Sequence, residues 1–206
     1  THYEYDSRDD LVGVYPPSVP YPKPGEPEGA SNRQSSYSYR YDFLHRYIYK
    51  KLPERDALYY IYDRGSHQVF SQDGEQRARG EWSFSLSDEF SRPVVTGTCH
   101  TSYFYEDLQL SEINVKARRD DTGTAFHGYI PENITLTTPV VYTVNYYDDY
   151  SFIGKHGVPT SLNYTTPPSG YGTRYTESSK GLLTGTVTAR VDATGVTGDD
   201  YAAFYY

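Results

Sequence analysis

The chain has 206 residues, a formal net charge of −8, and 25 Tyr, 8 Phe and 1 Trp but no Met. Net negative charge repels phosphate backbones and anionic lipid, which argues against a nucleic-acid duplex or a membrane surface as partner. One cysteine, Cys99, rules out an internal disulfide framework, and no Cys/His spacing of a zinc site occurs.

The length allows one domain of ordinary size, or one domain with a long linker. Tyrosine carries an apolar ring and a polar tip and suits half-buried strand surfaces, so this composition points to β rather than α structure. Residues 1–14 read as a short strand, a polar turn and an apolar strand. Residues 15–36, YPPSVPYPKPGEPEGASNRQSS, hold Pro16, Pro17, Pro20, Pro22, Pro24 and Pro27. Proline removes donors and fixes φ, so this stretch reads as a linker or loop. A ligand for an aromatic-grooved partner is the functional alternative.

From Tyr37 the period becomes two. Tyr37, Tyr39 and Tyr41 alternate with Ser38 and Arg40, and further short aromatic or β-branched runs follow at Tyr47-Ile48-Tyr49, Tyr59–Tyr62, Val69-Phe70, Trp82–Leu86 and Pro93–Thr96. Strands this closely spaced imply antiparallel hairpins. Pro53 and Asp73-Gly74 read as turns between them. Residues 98–138 are an irregular insertion, in which Ala117–Asp121 reads as a solvated charged turn. Strand composition returns over 139–153, followed by a Gly/Pro-rich stretch that includes Thr166-Pro167-Pro168. In the last segment Leu183, Gly185, Val187, Ala189 and Val191 share one face, and a turn near Ala193-Thr194-Gly195 leads into Tyr201–Tyr206. No long amphipathic helix and no apolar run of transmembrane length is present.

One unit recurs: aromatic, any residue, Tyr or a substitute, Asp, a short polar turn, then an apolar strand. It occurs at Tyr3-Glu4-Tyr5-Asp6, Tyr39-Arg40-Tyr41-Asp42 and Tyr60-Ile61-Tyr62-Asp63, with degenerate copies ending at Asp88 and at Tyr146-Tyr147-Asp148. Alternating aromatics supply cross-strand packing, and Asp at the strand end can accept from backbone N–H groups two residues on. A lone hairpin is unstable, so the copies must pair side by side.

On these residues, and on the stretches YRYDFLHRYIYKKLP and YYIYDRGSHQVFSQDGEQRARGEW, the chain resembles the YD-repeat proteins of the RHS kind found in Bacteroidetes. The resemblance covers most of the chain outside the proline-rich segment. The family's turn usually carries Gly-Arg before the returning strand; the corresponding places here hold Asp9-Asp10, His45-Arg46, His67-Gln68 and Ser91-Arg92. The resemblance implies an all-β strip of antiparallel hairpins, part of a shell that can enclose a C-terminal toxin or effector. Its partners would be neighbouring repeats of the same full-length chain and such an enclosed domain. The implied setting is a secreted or cell-surface bacterial protein, and the start at Thr1 is read as an internal piece with its export signal upstream. The expected division is a partial repeat at 1–14, the linker at 15–36 and a repeat domain over 37–206.

Enzymatic readings compete with this one. The histidines His2, His45, His67, His100, His127 and His156 show no metal-ligand spacing. Asp148, Ser151 and His156 supply the residue types of a nucleophilic triad without an elbow motif. The acidic pairs Asp9-Asp10, Asp120-Asp121, Asp148-Asp149 and Asp199-Asp200 read as turn residues rather than a glycosidase dyad or a calcium loop. The expectation is therefore a non-enzymatic segment with no metal and no cofactor. A glycan- or protein-binding surface module is the alternative, to be separated by the exposure of Tyr39, Tyr41, Tyr60 and Tyr62.

Overall fold

A computed structural model describes residues 1–21, 34–120, 122, 125–164, 169–170 and 179–206. The centre of the proline-rich stretch, Thr166-Pro167-Pro168 and Asp121 lie outside the described residues. The protein is mostly β. It forms two compact units, Thr1–Trp82 with Thr101–Ile113, and Ser83–His100 with Asn114–Tyr206. The 37–206 stretch therefore contributes to both. Eleven strands lie in antiparallel sheet, six belonging to the first unit and five to the second.

In the first unit β1 (His2–Tyr5), β2 (Leu11–Tyr15), β3 (Tyr37–Tyr41), β4 (Tyr47–Lys51), β5 (Leu58–Tyr62) and β6 (Gln68–Gln72) pair in chain order. The strands are short, and each pairs with the one before it in an antiparallel meander. Period-two patterning sorts the tyrosines between two faces. Arg40, Tyr49 and Tyr59 fall in one cross-strand row, Arg40 opposite Tyr49 and Tyr49 opposite Tyr59. The Thr101–Ile113 excursion packs on that face. Tyr105 stacks on Tyr59 with ring centroids 4.1 Å apart, and the buried Leu110 follows it. Arg40 binds across this layer, donating to the Tyr105 hydroxyl at 3.0 Å and to Glu106 at 2.7 Å. Burial of Ile61, Val69, Phe70 and Trp82 completes this core.

A six-residue helix, α1 (Gly74–Arg79), stands where Asp73-Gly74 suggested only a turn. Asp73 accepts from the Gln76 amide and Gln76 Oε1 accepts from the Asp73 amide, at 2.8 and 3.0 Å. This reciprocal cap satisfies two otherwise orphaned donors, and Gly80 ends the helix in the left-handed region at φ 68°. The sequence signal was present as Asp-Gly-Glu-Gln.

In the second unit the strands are longer. β7 (Trp82–Ser87) and β8 (Pro93–His100) lead to a two-stranded sheet of β9 (Lys116–Arg119) and β10 (Tyr129–Glu132), then to β11 (Thr137–Asp148), β12 (Ser179–Asp192) and β13 (Gly195–Ala203). The stretch read as a charged turn at Ala117–Asp121 is largely strand β9. The reason is Ala117, which is buried and lies between two outward-reaching basic residues, Lys116 and Arg118. The closing hairpin turns between Asp192 and Gly195 as the alternation implied.

The core of this unit is an aromatic stack. Tyr146 lies flat on Phe152 at 4.2 Å and 3°, and Tyr129 stacks on Tyr146 at 6.0 Å and 25°. Tyr146 donates to the His127 carbonyl and Tyr129 to the Asn145 carbonyl, so neither hydroxyl is stranded. Burial pushes both phenols above their ordinary pKa. Gly185 makes the stack possible, since a Cβ there would sit 2.2 Å from Phe152 Cζ. Cys99 is buried in the same unit, and burial pushes its thiol up to about 12.

Candidate functional site

The residues singled out by the recurring unit come together at the ends of strands. Tyr3 and Tyr5 lie in β1, Tyr39 and Tyr41 in β3, Tyr60 and Tyr62 in β5; Asp6, Asp42, Asp63 and Asp88 each follow the strand β1, β3, β5 or β7. Four turns then share one hydrogen-bonding scheme. The Asp amide donates to the carbonyl four residues on, at 2.9 to 3.0 Å, from Asp6 to Asp10, Asp42 to Arg46, Asp63 to His67 and Asp88 to Arg92. The Asp carbonyl accepts from the amide three residues on, at 3.1 to 3.2 Å. The residue in that third position is left-handed each time: Asp9, His45, Ser66 and Ser91 have φ between 59° and 64°.

This is a type I turn followed by a left-handed residue that forms a bulge, the three-residue hairpin loop. The register slips by one just before Asp in all three hairpins of the first unit, at Glu4/Tyr5, Arg40/Tyr41 and Ile61/Tyr62. In the third turn the left-handed residue is Ser66, so the pair that the resemblance put at His67-Gln68 corresponds to Ser66-His67, one residue earlier.

Each carboxylate is directed inward to its own turn. Asp42 Oδ1 accepts from the amides of Leu44 and Arg46, and Asp88 Oδ1 from those of Phe90 and Arg92. Asp63 accepts from the His67 amide at 2.8 Å, and Asp6 from Arg8 and Asp10. In three of the four turns the remaining oxygen faces a base four residues on. Arg46 Nε donates to Asp42 Oδ2 and Arg92 Nε to Asp88 Oδ2, both at 2.7 Å, while His67 Nδ1 lies 3.2 Å from Asp63 Oδ2. Asp42 and Asp63 are buried, at 6% and 1% exposure. Buried carboxylates demand such complete pairing. Backbone donation from Arg8 holds the Asp6 carboxyl below its ordinary pKa.

The bases also reach across to the next turn. Arg8 Nη1 donates to the Asp42 carbonyl and Arg46 Nη1 to the Asp63 carbonyl, each at 2.9 Å. His45 Nδ1 lies 2.7 Å from Asp10 Oδ1. In the second unit Arg92 grips Asp148 with both terminal nitrogens, at 3.1 and 2.7 Å, and its guanidinium lies 4.3 Å from the Tyr147 ring centre. That grip, with a second bond from the Gly181 amide, holds the Asp148 carboxyl below its ordinary pKa. Asp148 departs from the other four. It is itself left-handed at φ 75°, and its turn lacks the shared scheme. Of its neighbours, Tyr146 is core and Tyr147 is half-buried.

The four diagnostic tyrosines are all half-buried. Tyr41 donates to the Leu11 carbonyl, and its ring meets Tyr47 at 4.7 Å, inclined by 36°. Tyr39 meets Tyr47 at 48°, and the Arg46 guanidinium covers Tyr62 at 4.8 Å. These rings are inclined to one another, unlike the flat platform expected of a sugar-stacking face. Tyr3 and Tyr5 are more open, at 55% and 58% exposure.

Of the residue types considered for chemistry, Ser151 and Asp148 have other partners. Ser151 donates to Asp149 and accepts from Arg119, and Asp148 is held by Arg92, while the His156 ring packs against Gly128 with its buried Nε2 unpartnered among the described residues. Among the described residues no group of three His, Cys, Asp or Glu side chains is gathered for a metal, and no helix is long and apolar enough to cross a membrane. Sequence reasoning identified the aspartates and missed the bases that brace them. The available signal was Arg46 and Arg92, each four residues after Asp. Comparison with known proteins finds no family model that matches this chain and no similar curated protein.

Proposed function

We propose that this chain is a structural, non-catalytic segment of a large exported bacterial protein of the YD-repeat, RHS-like kind. In this reading it forms part of a sheet wall whose partners are neighbouring repeats and an enclosed C-terminal toxin or effector. The observation that carries the reading is the fate of the aspartates. All four turn carboxylates accept from their own turn's amides, and three of them also face a base in the fourth position. A carboxylate committed in this way is a brace; a general acid or nucleophile needs an oxygen aimed at substrate.

A wall segment separated from its neighbours presents unpaired strand edges, which promote edge-to-edge association. Sedimentation velocity over a wide concentration range tests this. The expected result is concentration-dependent association. A sharply monomeric species at high concentration contradicts the wall reading.

A further inference from the structure

We infer that the outer edge of β1 is a docking edge for a strand whose opening turn carries an arginine, as Arg46 opens β4, its guanidinium binding the backbone carbonyl of Asp6. This deepens the wall reading above and rests on it.

The argument comes from an interface already repeated inside the chain. Where β2 meets β3, Arg8 in the turn before the returning strand donates to the carbonyl of Asp42 at the end of the next one. Where β4 meets β5, Arg46 does the same to Asp63. The carbonyls of Asp42 and Asp63 thus accept twice, once from the amide three residues on and once from the preceding guanidinium. A carbonyl oxygen has two lone pairs, and this arrangement uses both. Asp6 closes the same turn and accepts from the Asp9 amide at 3.2 Å. Among the described residues its carbonyl has no guanidinium partner, and β1 has β2 as its one strand neighbour.

The occupant's chemistry follows. It must run antiparallel to β1, so that its first residues lie beside Asp6 as those of β4 lie beside Asp63. It must carry a base early enough to reach the carbonyl. Within the chain Arg46 supplies it from the fourth position after Asp42, next to β4, and Arg8 from the second position after Asp6. Tyr3 and Tyr5, exposed on β1, would gain cross-strand neighbours on the same addition. Strand addition supplies the main-chain bonds and the guanidinium sets the register.

The test uses the 206-residue chain labelled with nitrogen-15 and a synthetic hairpin copying residues 37–51, which contains the Asp42 turn and Arg46. Amide exchange and shift changes at His2–Tyr5 report docking. The expected result is slowed exchange across β1, with binding weakened about tenfold when the hairpin carries Arg46→Ala, the loss expected for one hydrogen bond to a charged donor. Equal binding by both hairpins overturns the guanidinium role and leaves strand addition, and with it the wall reading, intact. Protection absent from β1, or found on β13 alone, overturns the docking edge itself. The sedimentation result then decides the wall reading separately.

Discussion

The two units use one kind of turn but hold their strands in different ways. In the first unit β1 to β6 are four or five residues long, with few backbone bonds each. Bracing comes from the turns, where Asp42 and Asp63 are buried and Arg8 and Arg46 tie neighbouring hairpins together. In the second unit β8, β11, β12 and β13 run eight to fourteen residues, and a stacked core of Tyr129, Tyr146 and Phe152 lies against them. There the turn motif has slackened: Asp88 keeps the scheme and Asp148 does not. Short strands need rigid corners, and long strands on a deep core tolerate loose ones.

Substitutions can break this contrast. The largest effect is expected from Phe152→Ala, which removes a fully buried ring from the stack and costs about 3–5 kcal/mol in chemical denaturation. Next is Asp63→Ala, which strips the bonds to the His67 amide and ring at a site 1% exposed. A buried donor left unsatisfied makes this about 2–3 kcal/mol. Asp6→Ala, in the same turn geometry but with a partly exposed carboxylate, is expected to cost clearly less than Asp63→Ala. Equal costs at Asp63 and Asp6 would show that turn geometry alone, without burial, sets the contribution.

The smallest effect is a pH dependence. Hydrogen bonds from Arg92 lower the folded pKa of Asp148 relative to the ordinary value of 3.8. A lowered folded value gives stability that is present above the unfolded pKa and lost as pH falls through the folded one. Thermal unfolding should therefore shift downward from pH 5 toward pH 3, and Arg92→Ala should flatten that slope. Because the carboxylate is partly exposed, added salt should shrink the difference.

Much of the fold was legible because strand patterning is local. The alternation at Tyr37–Tyr41 and Leu183–Val191 marked β3 and β12 directly. The aspartate turns were legible for the same reason, since a cap acts within four residues. What escaped was set by distance along the chain. Nothing near Thr101–Ile113 announces that Tyr105 will stack on Tyr59, and nothing near Asp148 announces Arg92 as its partner. Helix α1 escaped for a different reason. Asp-Gly was read as a turn when Gln76, three residues after Asp73, already offered the second half of a capping box.

The most direct test of the central claim, that the turn aspartates brace the sheet, is a double-mutant cycle on Asp42 and Arg46. Unfolding free energies are measured for D42N, R46A, the pair and the parent protein. Bracing predicts a coupling of about 1–3 kcal/mol, because the two side chains form a nearly buried ion pair with a 2.7 Å hydrogen bond. Additive losses, with coupling near zero, would contradict it.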